Sequence, residues 1–131
     1  MCAATPTASL TLPMDAVAAA RSRAFVEQAH CRTHAASVLD DARLLISELV
    51  SNAVRHGSPP ITTEIECRGS AGLHVRVSDA APGAPVVRDA DDDAVSGRGM
   101  RLVDLLSSAW GVEPGQAGKA VWFQLGPAGS C

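Results

Sequence analysis

Over residues 40–56 apolar side chains recur at steps of three and four, and beyond Ile61 the period falls to two. That change separates helical from strand-forming parts of the chain. At about 100° per residue, Ala42, Leu45, Ile46, Leu49 and Ala53 form one stripe and predict an amphipathic helix. Ser37 or Asp40 is expected to cap its start, and Asp40 and Asp41 suit the positive end of its dipole. Gly57 is expected to stop it in a left-handed conformation before Ser58, Pro59 and Pro60. An earlier helix is expected from an Asp15 cap through the alanines to about His30, with Val17, Ala20, Ala24 and Phe25 turned inward. Ile61, Thr63, Ile65 and Cys67 alternate with polar residues, as do Leu73, Val75 and Val77, which predicts an antiparallel hairpin turning at 68–72. Residues 9–12 fit a short edge strand ended by Pro13.

The acidic, proline-bearing stretch 80–96 has little period and is expected to be a loop. A third helix is expected from about Gly99 to Ala109, then a last hairpin pairing 110–112 with 119–125 through Pro114, Gly115 and Gly118. Segregated helices and antiparallel strands predict an α/β two-layer sandwich. Its three main helices would cover one face of a mixed, mainly antiparallel sheet. The expected organisation is one domain at 9–126 between flexible tails at 1–8 and 127–131.

With 131 residues and 47% hydrophobic content, the chain suits one packed core. The formal charge of -3 and pI of about 5.7 give no general attraction to nucleic acid or anionic membranes, so an anionic ligand needs a local site. No apolar run reaches the roughly 20 residues of a membrane span, and the N-terminus lacks signal-peptide character, which predicts a cytoplasmic protein. Cys2, Cys31, Cys67 and Cys131 are scattered and are expected to be reduced thiols. His30, Cys31 and His34 lack a second ligand pair and do not predict zinc. Lys119 is the only lysine among eleven basic residues; that bias, with abundant alanine, hints at a GC-rich bacterial genome.

Glu48, Asn52 and His56 follow at four-residue steps, inside or beside the apolar stripe of the second helix. An unsatisfied polar group there costs roughly 1 to 3 kcal/mol, so a ligand or hydrated metal ion is a natural partner. Backbone and water are the alternative partners. Asp79 continues the inward parity of Leu73, Val75 and Val77, which puts a carboxylate at the core-facing end of a strand; capping the following loop is its other reading. Gly97, Arg98 and Gly99 precede the expected third helix, where free N–H groups make an anion site, or else form a plain flexible turn.

The segment Glu-Leu-Val-Ser-Asn-Ala-Val-Arg-His-Gly at 48–57, with the glycine-bearing segments after it, resembles the ATP-binding domain shared by GHKL ATPases and histidine kinases. The likeness is nearest to the small anti-sigma-factor serine kinases and extends from about residue 10 to 125. It implies the histidine-kinase-like ATPase fold, with ATP and Mg2+ as cofactors. In that family the Glu-x3-Asn-x3-His helix walls the nucleotide site. By resemblance, Asn52 holds magnesium, Glu48 is the general base, and His56 belongs to the site in a role left open. Asp79 would accept the adenine amino group, and Gly83, Gly97, Arg98, Gly99 and Met100 would line the nucleotide, the glycine box clamping its phosphates. Where the family has Asp-x-Gly-x-Gly, this chain has Asp79-Ala80-Ala81-Pro82-Gly83.

The resemblance implies a protein serine/threonine kinase that phosphorylates an anti-anti-sigma protein and sequesters a sigma factor, with homodimerisation left open and no direct nucleic-acid or membrane contact. A nucleotide-binding interaction module without turnover is the alternative: Ala81 favours it, and Glu48 favours the enzyme. A complete histidine kinase is not expected, since the length leaves no room for a phosphoacceptor domain.

Overall fold

Eight elements follow along the chain: β1 (Ala8–Leu12), α1 (Ala18–Ala29), α2 (Leu39–His56), β2 (Ile61–Cys67), β3 (Leu73–Asp79), α3 (Ala94–Leu106), β4 (Ala109–Glu113) and β5 (Lys119–Leu125). They belong to a computed structural model that describes residues 7–29, 38–68, 72–81, 94–115 and 118–126, with the backbone alone at 94–99. The strands form one sheet in the order β1-β2-β3-β5-β4. All four pairings are antiparallel, so the sheet expected to be mixed and mainly antiparallel is antiparallel throughout the described residues.

Period-two alternation becomes burial. Ile61, Thr63, Ile65 and Cys67 on β2 face the core beside Leu73, Val75 and Val77 on β3, and Val75 is registered opposite Phe123 of β5. These side chains share one cluster with Ala42, Leu45, Ile46, Leu49, Val50 and Ala53 of α2, with Val26 of α1 and with Met100 and Val103 of α3. The helices therefore cover one face of the sheet. Each large aliphatic or aromatic side chain fully buried in this way contributes about 1.5–3 kcal/mol. Thr63 can join them because its hydroxyl donates to the Leu10 carbonyl at 3.1 Å.

Five expectations need correction. In α1 the buried residues are Ala18, Ser22 and Val26, while Val17, Ala20 and Ala24 are exposed. A run of alanines does not mark a stripe, and Ser22 is tolerated inside because its hydroxyl donates to the Ala19 carbonyl at 2.6 Å. Asp15 does bind the free N–H of Val17, at 2.9 Å.

The N-cap of α2 is Val38, without a side-chain cap hydrogen bond, and Gly57 is extended (φ -98°, ψ -165°) rather than left-handed. Ser37 lies outside the described residues. Helix α3 starts at Ala94, so Gly97, Arg98 and Gly99 lie within its first turns and do not precede it. A glycine in a helix costs only about 1 kcal/mol, and burial of Met100 and Val103 outweighs that weak local preference.

Cys67 is fully buried and disulfide-bonded, against the expectation of reduced thiols. Sequence spacing carries no information on which sulfurs approach in space. Cys2, Cys31, Cys131, His30, His34 and both expected tails beyond residues 7 and 126 lie outside the described residues. Among the described residues no helix is long and apolar enough to cross a membrane.

Candidate functional site

The C-terminal end of α2 is stitched to the end of β3. Gly57 N–H donates to the Ala53 carbonyl at 2.8 Å and closes the helix, and Ala80 N–H donates to the Ser58 carbonyl at 2.8 Å. A Cβ at position 57 would stand 2.6 Å from Asp79 Cγ, 2.8 Å from Asp79 Oδ2 and 2.7 Å from the Ala53 carbonyl oxygen. Glycine is needed there for room beside the carboxylate, not for a left-handed turn. The connection to β2 continues through Ser58 and a cis Pro59–Pro60 peptide.

Asp79 does point inward, with its side chain only 6% exposed. Its Oδ1 accepts three hydrogen bonds: from Ala81 N–H at 2.8 Å, from Lys119 Nζ at 3.0 Å and from Ser58 N–H at 3.3 Å. The Ala81 bond is the loop-capping turn weighed from sequence; the Ser58 bond ties in the end of α2. Lys119 makes the ion pair from directly across the sheet, since Asp79 and Lys119 are register partners. The sequence reading missed that lysine. Its signal was the pairing of the third and last predicted strands, which brings the lone lysine opposite the strand-end aspartate.

One to two turns back along α2, Asn52 is half-buried and its Oδ1 is fully buried with no hydrogen-bond partner among the described residues. Glu48, half-buried one turn earlier, likewise has no hydrogen-bond or ion-pair partner among the described residues. His56 is exposed at the last turn. Met100 is a core side chain, 4% exposed, and can reach a ligand only through its backbone.

Of the glycine box, Gly97 is the fourth residue of α3, so its N–H and those of Arg98 and Gly99 lie past the positions left free at a helix start. Gly83 lies outside the described residues. The structure thus joins Asp79 to the end of the helix carrying Glu48, Asn52 and His56, and places the glycine box on a neighbouring helix.

A cavity of about 280 Å³ opens at the ends of β3 and β5, lined by Arg76, Ser78, Asp79, Glu113, Pro114, Gly118, Lys119 and Ala120. Its charges are already matched: Arg76 bonds Glu113 at 2.7 Å and Glu64 at 2.9 Å, and Lys119 bonds Asp79. Those hydrogen bonds, to Glu113 above all, hold the Arg76 guanidinium above its ordinary pKa. The orphaned groups of α2 make the better candidate for a ligand.

For magnesium the donor chemistry fits. Asn52 offers one neutral carbonyl oxygen, a hard donor with nothing else bound to it. Mg2+ commonly takes one or two protein oxygens and completes its shell with phosphate and water. No cluster of three or more His, Cys, Asp or Glu ligands exists among the described residues.

The family model described as histidine kinase-like ATPase domain matches residues 12–125. No curated protein matches the chain. Among solved structures, the fold is similar to the crystal structure of the RsbU and RsbW domains of Rv1364c from Mycobacterium tuberculosis, with a TM-score of 0.65 and 22% identity. That match covers 92% of this chain and 32% of the other, so the chain spans about a third of its neighbour's length.

Proposed function

From the premise that the chain belongs to the histidine kinase-like ATPase domain family, we propose that it is a magnesium-dependent protein serine/threonine kinase of the anti-sigma-factor type. Its phosphoacceptor would be an anti-anti-sigma protein, and its other partner a sigma factor that it sequesters. The family implies ATP as the ligand. The observation that carries the finer reading is a pair of groups on α2 without a partner among the described residues: the buried Asn52 Oδ1 and, one turn away, the Glu48 carboxylate. One turn is about 5–6 Å, a separation at which a metal ligand and a base can serve one phosphate.

Asn52 would hold Mg2+, which when bound offsets phosphate charge. Glu48 takes the proton of the partner's serine or threonine hydroxyl as that oxygen bonds to the γ-phosphorus. The bond from the γ-phosphorus to the bridging oxygen breaks and ADP leaves with the electron pair. Asp79 orients the base of the nucleotide, while Met100 and Val103 hold α3 against the core, so that the first turn of that helix would face the phosphates. Positioning supplies most of the catalysis.

One observation favours the non-catalytic module instead. Ala81 stands where the family has glycine, and its N–H occupies Asp79 Oδ1 together with Lys119 and Ser58, leaving that oxygen little capacity for a ligand. Incubation with γ-labelled ATP, Mg2+ and candidate partners separates the readings. Label on a partner serine or threonine is the expected result; nucleotide binding without transfer to any cognate partner moves the conclusion to the module.

A further inference from the structure

Resting on the ATP reading above, we propose that Lys119 is a specificity-determining residue whose ammonium recognises the ring nitrogen of adenine beside the amino group taken by Asp79. The two side chains leave the same face of the sheet as register partners of β3 and β5. They are 13% and 6% exposed, so each is withdrawn from water, and the 3.0 Å contact compensates that desolvation.

The bonds are distributed unevenly. All three donors to Asp79 converge on Oδ1, and among the described residues Oδ2 takes none. Oδ2 also lies on the Gly57 side, where the missing Cβ leaves space that any other residue would fill at 2.8 Å. Lys119, with the Ala81 and Ser58 amides, therefore fixes which carboxylate oxygen is committed and which is open. An ammonium has three N–H donors, and one is directed at Oδ1. Among the described residues the pair thus offers an open acceptor next to an uncommitted donor.

Adenine presents the complement: an exocyclic N–H donor adjacent to N1, a lone-pair acceptor. A merely structural lysine would neutralise Asp79 and go no further. A reading lysine makes affinity depend on the ring nitrogen itself, because a site built to hydrogen-bond a ligand atom rejects the analogue that lacks it.

The test is calorimetric binding of ADP and 1-deaza-ADP, in which a C–H replaces N1, to wild type, Lys119→Arg and Lys119→Met with Mg2+ present. Wild type should bind ADP about tenfold or more tighter than the deaza analogue, as expected for one charge-assisted hydrogen bond. Lys119→Arg should keep much of that preference. Lys119→Met should weaken ADP and bring the two ligands within about threefold of each other, the coupling a double-mutant cycle detects.

If Lys119→Met weakens both ligands equally and keeps the wild-type ratio, the role is structural and the proposal is overturned. If Lys119→Met does not fold, the wild-type ratio decides alone, and equal binding of the two ligands overturns it. Failure of wild type to bind ADP at all removes the ATP reading underneath, an outcome distinct from binding without discrimination.

Discussion

On the outer face of the sheet, guanidinium groups are matched to carboxylates at short range: Arg76 to Glu113 at 2.7 Å and Glu64 at 2.9 Å, and Arg68 to Glu66 at 2.8 Å. Under the helices the pattern reverses. Among the described residues the Asn52 carbonyl oxygen is buried without a partner, the Glu48 carboxylate is half-buried without one, and Asp79 loads three bonds on one oxygen and none on the other. The outer pairs are one-third to one-half exposed, so each is worth about 0.2–1 kcal/mol after solvent screening. The inner orphan costs roughly 1–3 kcal/mol. An interior left unsatisfied beside a satisfied surface is what the proposed ligand site would require, since a bound ligand offsets that cost.

The sharpest way to break this comparison is at Glu48. On the kinase reading Glu48→Gln keeps size and loses basicity, so phosphotransfer should fall by about 100-fold or more while nucleotide affinity stays within a few fold. Equal rates for the two proteins, measured by label transfer, would remove Glu48 from the chemistry. Gly57→Ala comes next. Alanine is compatible with the backbone angles, but its Cβ would collide with Asp79 and the Ala53 carbonyl, a cost of about 1–3 kcal/mol in urea unfolding. Nucleotide affinity should fall with it, because the carboxylate must move.

Asn52→Leu sharpens the contrast from the other side. Without nucleotide it should hold or raise stability by up to about 1–3 kcal/mol, since a buried orphan is gone. The rise in Tm that wild type gains from ADP with Mg2+ should disappear. A clear loss of stability in the ligand-free variant would mean that Asn52 is a structural residue.

Much of this was legible in the sequence. Strict alternation at 61–67 and 73–79 gave both strands, their inward faces and the inward Asp79, and the α2 stripe was complete except for Val50. What failed were the positions where local chemistry is ambiguous. Alanine-rich α1 carries almost no directional signal, so its buried face lies one to two residues beyond the expected one. Gly57 and Gly97 read locally as punctuation, whereas contact with Asp79 explains the first and core packing of Met100 and Val103 overrides the second. The Lys119 partner required strand order, because 40 residues separate it from Asp79.

The smallest expected effect falls on the exception to the outer-face rule. His74 stacks on Trp122 with ring centroids 5.2 Å apart, and its Nδ1 is buried without a hydrogen bond. Burial pulls its pKa below 6.5, helped by the charge of Arg68 and opposed by Glu66, Gln124 and Glu113. The unfolded chain therefore binds the proton more readily, and the His74 contribution to stability is present above about pH 6.5 and lost as pH falls through the lower folded value. Urea midpoints measured from pH 7.5 to 5.5 should decline for wild type and decline less for His74→Gln.

The strand order β1-β2-β3-β5-β4 also sets when the candidate site can exist during folding. Helix α2 and the β2–β3 hairpin are local and can form early, but Lys119 reaches Asp79 only after β5 has docked on β3, closing a long loop against its entropy. Until that late step the Asp79 carboxylate has no counter-charge from β5. Recognition of the base would thus be the last property the chain acquires, so a partly folded molecule whose C-terminal hairpin is undocked would carry the Glu48–Asn52 helix without a fully assembled place to seat a nucleotide.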